Sequence, residues 1–184
     1  MIRGLVLAGG KSSRFGEDKA LAHYEGISFL ERAVNSLKLL GLHPVVVTRR
    51  GADYSFVRCP VIYDKFPEQG PLGGIYTALT VFRETAFLTL TCDMPFVTLA
   101  ALSGLLEEKE SREITIYSVN DKIEKFPGVY GPSALRLVRR QLLRNELSMR
   151  ALLDASSEKK IIAWPGDPSE FSNVNRKEDL VLRR

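Results

Sequence analysis

The chain is poor in the residues that build thiolate metal sites, disulfide frameworks and membrane spans. Its 184 residues include only two cysteines and two histidines. Cys59 and Cys92 do not form a C-x-x-C pair, so we expect two reduced thiols and a cytoplasmic protein. The longest uncharged stretch, residues 69–82, is broken by Pro71 and three glycines and is too short to span a bilayer. We therefore expect no membrane partner.

An excess of charge of one sign is also nearly lacking. The 26 Lys and Arg residues exceed the 22 Asp and Glu residues by four, giving a formal charge of +4. This excess suits small anionic ligands and is too dispersed to predict nucleic acid binding. The densest basic stretch, residues 136–144, alternates with apolar residues at helical spacing and predicts a solvated helix face. The length and the 45% hydrophobic content predict one globular domain, residues 1–184.

Short apolar runs alternate with segments of helical periodicity along the whole chain. Strands are predicted at residues 2–8, 45–48, 61–63, 86–91, 113–119 and 160–164, with a further one at 125–130 where Pro127 favours an edge or a bulge. Helices are predicted at 28–40, 71–83, 98–108, 132–144, 148–155 and 176–182. This order predicts a three-layer, Rossmann-like α/β fold with a mostly parallel sheet, helices on both faces, and a locally mixed region at 113–130.

The first motif, LAGGKSSRFGEDK at residues 7–19, follows the first strand. Its glycines, including Gly9 and Gly10, let backbone N–H groups approach phosphate oxygens, and Ser12 adds a hydroxyl donor. Arg14 and Lys19 add two cations, which suits the positioning and charge neutralisation of nucleotidyl transfer. The spacing fits neither a Walker A loop nor a Rossmann fingerprint. We predict a triphosphate-binding loop, against the alternative of an ordinary strand-to-helix turn.

A lone acidic residue, Asp93, follows the buried strand 86–91 and is restrained by Pro95. Magnesium in proteins takes one or two carboxylates together with substrate phosphates and waters. The alternative role, capping the helix that begins near Thr98, requires a shorter gap. We therefore predict that Asp93 binds Mg²⁺.

Two further segments give less specific evidence of a ligand-binding role. Asp64 is followed by QGPLGG at residues 69–74, where Gly73 and Gly74 admit either a base or ribose, or tight packing of a helix start on the sheet. Asn173 and Asn175 alternate on one face of a predicted short strand. Asn175 either contributes an amide oxygen to a metal or acceptor phosphate, or caps the helix at 176, and both readings stay open. Ligands of such sheets bind beyond the carboxyl ends of the strands, so these segments are expected to converge.

Together these motifs resemble those of the molybdenum cofactor guanylyltransferases, a branch of the glycine-rich-loop nucleotidyltransferases with a nucleotide-diphospho-sugar transferase type of fold. The matching patterns are L-A-G-G-x-S-x-R-x-G-x-D-K at 7–19, G-P-L-G-G at 70–74, C-D-x-P at 92–95 and N-V-N-x-x-E-x-L at 173–180. They occur in the family's order and span nearly the whole chain. The double glycine of the first motif and the G-P-L-G-G element favour the guanylyl branch over its cytidylyl relatives.

The resemblance implies that the chain transfers GMP from GTP to molybdenum-bound molybdopterin, releasing pyrophosphate, with Mg²⁺ as cofactor. It implies that Leu7, Ala8 and Gly9 line the guanine and ribose, that Lys19 contacts the phosphates, that Thr48 and Asp64 lie at the nucleotide, and that Asp93 binds the metal. Catalysis is assigned to Arg14, Lys19 and Asp93, and acceptor binding to Pro127, Asn173 and Asn175. Transient contact with molybdoenzymes or cofactor-handling proteins is expected.

Three other functions are compatible with the same motifs. The first two are a cytidylyltransferase that acts on molybdopterin and a nucleotidyltransferase that acts on another phosphorylated small molecule. The third is a catalytically silent nucleotide-binding module for molybdoenzyme maturation. The joint presence of Arg14, Lys19 and Asp93 argues against the silent module, because binding alone does not need all three.

Overall fold

The computed structural model describes residues 1–9, 18–108, 113–176 and 178–180. Its strands are β1 (Ile2–Leu7), β2 (His23–Tyr24), β3 (Ile27–Ser28), β4 (Pro44–Thr48), β5 (Val61–Tyr63), β6 (Ala86–Thr91), β7 (Ile114–Val119), β8 (Lys122–Tyr130) and β9 (Lys159–Ala163). Its α-helices are α1 (Phe29–Leu39), α2 (Gly70–Val81), α3 (Leu99–Glu107), α4 (Ala134–Leu143) and α5 (Met149–Ala155). Short 3-10 helices cover Lys19–Leu21, Ser55–Val57 and Pro168–Phe171.

Seven of these strands form one sheet in the order β5-β4-β1-β6-β8-β7-β9, and β2 pairs with β3 in a separate hairpin. Strands β5, β4, β1 and β6 run parallel, whereas β8 runs antiparallel to both of its neighbours. The β1–α1–β4 and β5–α2–β6 connections cross the sheet in opposite directions, so right-handed crossovers place α1 and α2 on opposite faces. The predicted α/β fold, with its mostly parallel and locally mixed sheet, is confirmed.

The centre of the sheet is buried on both faces. Neighbouring positions of one strand, such as Leu5 and Val6 in β1 or Phe87 and Leu88 in β6, are all fully buried. Parallel strands covered by helices on both faces are expected to be apolar without alternation. The short apolar runs in the sequence therefore predicted these strands nearly to the residue.

Helix α1 begins as its capping residues predict. Ser28 Oγ accepts from Glu31 N, and Ser28 N donates to Glu31 Oε2 at 3.2 Å, which completes the capping box. The hydrogen bond from the Ser28 hydroxyl lowers the pKa of Glu31. At the other end Gly41 adopts a φ of 72°, a conformation that ends helices and favours glycine.

The strand predicted at 125–130 was expected to lie at a sheet edge or to contain a bulge, and one of these two alternatives is confirmed. The edge position expected for the strand at 125–130 fails, because β8 lies inside the sheet between β6 and β7. The alternative, a bulge, is confirmed: the β7–β8 register shifts between Ile116 and Ser118, and Pro127 is paired on neither side. Proline has no backbone N–H to donate, and this is tolerated where the hydrogen-bond ladder between two strands is interrupted.

The terminal helix expected at 176–182 is also not found in the described residues. Residues 178–180 form one 3-10 turn, and residues 177 and 181–184 lie outside the described part. Within the part of the chain that the structure describes, no helix has the length and apolar character needed to cross a membrane.

Candidate active site

A cavity of about 720 Å³ opens at the carboxyl edge of the parallel strands, where β1, β4, β5 and β6 end. This edge is the expected ligand position in an open α/β sheet, and the volume suits a nucleotide-sized molecule. The cavity is lined by Leu7, Ala8, Gly9, Asp18, Lys19, Ala20, Val47, Thr48, Arg49, Asp64, Pro67, Glu68, Gly70, Pro71, Gly74, Thr91, Cys92, Asp93 and Asn175. Segments distant in sequence therefore converge as predicted.

An ion pair between Lys19 and Asp93 lies at the wall of this cavity. Lys19 Nζ is 3.1 Å from Asp93 Oδ2 and donates a second hydrogen bond of 2.9 Å to Asn175 Oδ1. The side chains of Lys19 and Asp93 are 14% and 23% exposed. Water screens such a pair less than a fully exposed one, and both side chains remain accessible from the cavity that they line.

The backbone around Asp93 explains why it faces the cavity. Cys92 N donates to Leu7 O at 3.2 Å, which continues the β1–β6 pairing, and Val174 N donates to Asp93 O at 2.8 Å. Thr98 caps helix α3 by accepting from Ala101 N, so the capping role considered for Asp93 is filled by another residue. Burial raises the pKa of the adjacent Cys92 to about 12, which keeps that thiol neutral.

The donor set around Asp93 fits a cation that is completed by substrate oxygens. Asp93 Oδ1 is buried and has no hydrogen-bond partner among the described residues. The amide oxygen of Asn175 accepts a hydrogen bond from the same Lys19 ammonium group that pairs with Asp93. No group of three or more His, Cys, Asp or Glu side chains suited to a metal ion occurs in the described ranges. A hard cation with one protein carboxylate and phosphate ligands matches this arrangement, whereas a cage built by the protein alone does not.

Asn175 is held in place by a turn rather than by a strand. Residues 173–175 form no strand, so the predicted alternation is wrong. The Asp179 carboxylate accepts hydrogen bonds from Asn175 N and Arg176 N at 2.7 and 2.9 Å. Asp179 thus binds the two backbone N–H groups that precede the turn, and the Asn175 side chain is directed to Lys19. Asn173 is exposed and does not line the cavity.

The Asp64 carboxylate is oriented by a hydrogen bond from the buried Thr77 hydroxyl. Its Oδ1 accepts from Phe66 N and from Thr77 Oγ1, both at 2.9 Å. The same Thr77 hydroxyl accepts from Lys65 N at 2.9 Å. Thr77 is 1% exposed, so the two bonds made by its hydroxyl are partly shielded from competition by water. The carboxylate is therefore prepositioned on the cavity wall.

Gly73 and Gly74, in the segment 69–74, allow the start of helix α2 to pack closely. A Cβ on Gly73 would lie 2.6 Å from Phe66 O and 3.0 Å from Asp64 Oδ2, and one on Gly74 would lie 2.7 Å from Leu7 Cδ2. The distances of 2.6 and 2.7 Å are shorter than real Cβ contacts, so α2 approaches β1 and the preceding loop closely only because these side chains are absent. Gly74 still lines the cavity, whereas Gly73 does not.

The remaining predicted residues divide into three groups. Leu7, Ala8, Gly9 and Thr48 line the cavity. Pro127 does not line it and lies in the bulge of β8. Gly10, Ser12 and Arg14 lie outside the described residues.

Sequence reasoning missed several residues that line the cavity. Arg49 directly follows Thr48 at the end of β4, and its position after a strand was an available signal. Glu68 has a φ of 77°, which is unusual for a residue other than glycine, and no sequence pattern predicted it. Asp18 belongs to the first motif, but the sequence did not indicate its hydrogen bond to Tyr54, which lies 36 residues away.

Residues 4–161 match the family described as MobA-like NTP transferase domain. A probable molybdenum cofactor guanylyltransferase of Carboxydothermus hydrogenoformans is 37% identical over 139 residues, covering 75% of this chain and 70% of the relative. Another of the same name, from Aquifex aeolicus, is 30% identical over 175 residues, covering 95% and 86%. A crystal structure of an Aquifex aeolicus protein superposes with a TM-score of 0.80 at 28% identity, covering 95% and 94%.

A molybdopterin-guanine dinucleotide biosynthesis protein A from Archaeoglobus fulgidus has the same fold. It superposes with a TM-score of 0.79 at 23% identity, covering 99% of this chain and 96% of that one. This similarity concerns the arrangement of strands and helices, which the two chains share over nearly their whole length.

Proposed function

Since the chain belongs to the family of MobA-like NTP transferase domains, we propose that it transfers GMP from GTP to molybdenum-bound molybdopterin. The product is the molybdopterin guanine dinucleotide, and pyrophosphate is released. The observation that carries the proposal is the meeting of Lys19 with Asp93 in one cavity at the carboxyl edge of the sheet. The names of the two curated relatives support the guanylyl form.

The reaction replaces one phosphoanhydride bond at the α-phosphorus of GTP by another. A terminal phosphate oxygen of molybdopterin forms a bond to the α-phosphorus of GTP, and the bond from that phosphorus to the bridging oxygen breaks. Pyrophosphate leaves with the electron pair. The nucleophile is already an anion, so no side chain needs to remove a proton, and the protein supplies position and charge.

Lys19 supplies positive charge at the phosphates. Its ammonium group is held between Asp93 Oδ2 and Asn175 Oδ1, so it is preoriented before the triphosphate arrives. A fixed cation stabilises the charge that develops on the departing pyrophosphate without reorganising at that moment. Arg14, outside the described residues, is proposed to act in the same way from the glycine-rich loop.

Asp93 is the residue proposed to hold Mg²⁺, with Asn175 as the neighbouring amide oxygen. When bound, this ion would neutralise triphosphate charge and orient the α-phosphate. The buried, unpartnered Oδ1 of Asp93 supports this assignment. Transfer of the product by transient contact with molybdoenzymes, and a cytoplasmic location, stay predictions.

The nucleoside is proposed to lie between the end of β1 and the start of α2. Leu7 and Ala8 form one wall there, and Asp64 presents a carboxylate that Thr77 and Phe66 N have already oriented. A carboxylate in this position accepts hydrogen bonds from ribose hydroxyls or from base N–H groups. Pro127 and Asn173, which lie away from the cavity lining, retain their acceptor role only as a prediction.

The proposed catalytic role of Asp93 is tested by Asp93→Asn, which removes the charge and keeps the shape. We expect the rate of pyrophosphate release from GTP, Mg²⁺ and molybdopterin to fall by at least about 100-fold, because charge stabilisation dominates such chemistry. The matched control is Asp154→Asn, which changes an exposed carboxylate paired with Arg150 on helix α5. Full activity of Asp93→Asn would refute the proposed mechanism.

Base preference is tested by thermal stabilisation with each of the four NTPs and Mg²⁺. At 100 times its Kd a ligand stabilises the folded state by about 2.7 kcal/mol, which raises Tm by roughly 5–10 °C for a chain of this size. We expect the full shift with GTP alone. A selective shift with CTP would favour the cytidylyl alternative, and GTP binding without pyrophosphate release would favour the silent module.

A further inference from the structure

Tyr54 is a buried residue to which neither the motifs nor the proposed reaction assigns a role. It lies between β4 and the 3-10 helix Ser55–Val57 and is 2% exposed. Its hydroxyl is 2.7 Å from Asp18 Oδ2 and 3.4 Å from Ala8 O. Ala8 and Asp18 lie near the two ends of the motif at 7–19, so one phenol contacts residues close to both of its ends.

From Asp18 the contacts continue directly to Lys19. While Asp18 Oδ2 accepts from Tyr54, its Oδ1 accepts from Ala20 N at 3.1 Å and caps the 3-10 helix Lys19–Leu21. Both carboxylate oxygens are thus used to fix the backbone from which the Lys19 side chain extends. Lysine has a flexible four-carbon stem, so a fixed backbone reduces the number of positions that its ammonium samples.

We propose that Tyr54 is a positioning residue that acts through Asp18 to hold Lys19 against Asp93 and Asn175. The expected effect of Tyr54 on catalysis rests on the proposed function, whereas its expected effect on the position of Lys19 does not. Tyr54 touches no reacting atom in this proposal.

The surroundings of Tyr54 suit a fixed donor. The ring of Phe56 packs on it edge to face, with centroids 6.2 Å apart and an interplanar angle of 84°. Burial, reinforced by the hydrogen bond to Asp18, raises the pKa of the Tyr54 hydroxyl well above its ordinary value. The hydroxyl is therefore a protonated donor near neutral pH. Thr48 Oγ1 donates to Ala8 O at 3.3 Å and supports the same carbonyl.

The competing explanation is that Tyr54 only fills the core and finds a partner for its hydroxyl. A residue of that kind affects stability when it is changed and leaves the turnover of the folded protein alone. Tyr117 is the matched example, because it is also 2% exposed and donates to Ala101 O at 2.9 Å, away from the cavity lining. Comparing Tyr54→Phe with Tyr117→Phe separates the two explanations.

The first measurement is steady-state GMP transfer by the full chain. We expect Tyr54→Phe to lower kcat by about 10- to 100-fold, the usual effect of misplacing a catalytic group by a fraction of an ångström or more, with KM for GTP changed by less than about threefold. Tyr117→Phe is expected to keep the kcat of the unmodified chain. In an Asp18→Ala background, Tyr54→Phe should have no further effect. A normal kcat, or an undiminished effect without Asp18, refutes the inference.

The second measurement does not depend on the reaction. Acetic anhydride modifies accessible amines, and mass spectrometry compares Lys19 with the exposed Lys65 in the same sample. We expect the relative reactivity of Lys19 to rise by roughly threefold or more in Tyr54→Phe and to stay constant in Tyr117→Phe. Unchanged Lys19 reactivity overturns the inference even if the chain proves to transfer another nucleotide, whereas an inactive unmodified chain overturns only the proposed function.

Discussion

Replacing Thr77 by valine removes one hydroxyl and keeps the shape of the side chain. In the folded protein this hydroxyl donates to Asp64 Oδ1 and accepts from Lys65 N, both at 2.9 Å. Valine fills the same space, so no cavity forms. The remaining bond from Phe66 N no longer fixes the Asp64 carboxylate by itself, because one bond allows the carboxylate to rotate. The variant therefore changes the orientation of Asp64 without changing its charge.

Two magnitudes follow from these contacts. A hydrogen bond to a charged group contributes about 1.5–3 kcal/mol, so we expect the free energy of unfolding to fall by about 2 kcal/mol. For a chain of this length that corresponds to a decrease in Tm of roughly 4–8 °C. If Asp64 binds the nucleoside, losing one well-aligned bond of about 1.4 kcal/mol raises the Kd for GTP about tenfold. Because the bond exists in both the ground state and the transition state, kcat should change little.

The assay compares three variants by urea denaturation and by titration with GTP. Thr77→Ser keeps the hydroxyl and loses a buried methyl group, so it should lose about 1 kcal/mol of stability and retain the original Kd. Thr89→Val is the control for removing a buried hydroxyl elsewhere, since the Thr89 hydroxyl donates to Phe87 O in its own strand. If Thr77→Val binds GTP as tightly as Thr77→Ser does, the orientation of Asp64 does not depend on this threonine.

Two further predictions concern packing and capping. Gly73→Ala would place a Cβ 2.6 Å from Phe66 O, a backbone atom that cannot move aside alone, so we expect urea denaturation to report a loss of about 1–3 kcal/mol together with weaker GTP binding. Ser28→Ala removes the cap of α1 and should cost about 1 kcal/mol near neutral pH. Because the folded-state pKa of Glu31 is lowered, its contribution is present above the unfolded value of 4.5 and is lost as pH falls; Ser28→Ala should flatten this acid dependence in denaturation curves collected across that range. An unchanged acid slope would contradict the assigned cause.

The sheet and the convergence of its loops were predictable because they depend on patterns within single segments. Buried parallel strands are recognisable as short apolar runs, and the rule for carboxyl ends then brings Lys19, Asp64 and Asp93 to one edge. The orientation of β8 was not predictable in the same way. Its residues indicated a strand, but Pro127 has different consequences at an edge and at a bulge, and only the neighbours β6 and β7 decide between them.

The supporting contacts of the site were not predictable from the sequence. Thr77 and Tyr54 resemble ordinary core residues, since a hydroxyl in an apolar segment gives no sign of the partner it will find across the fold. The sequence did single out Gly73, either as a residue that admits a ligand or as one that allows tight packing. The choice depends on whether the space beside it holds a ligand or the Phe66 carbonyl. Only the packing of α2 against the preceding loop distinguishes them.

The roles of Asp93 and Asn175 show why an active site keeps some polar groups incompletely paired. A carboxylate with a purely structural role is most stable when each of its buried oxygens has a hydrogen-bond donor. Asp93 differs, because Lys19 pairs one oxygen while the other is buried without a partner in the described structure. Such an atom costs free energy that a purely structural carboxylate would avoid by rotating or by being replaced. The arrangement is understandable if Asp93 Oδ1 is reserved for a cation that arrives with the triphosphate. Added Mg²⁺ without nucleotide should then raise Tm only slightly in the unmodified chain, and not at all in Asp93→Asn, because the remaining ligands of the ion come from the substrate.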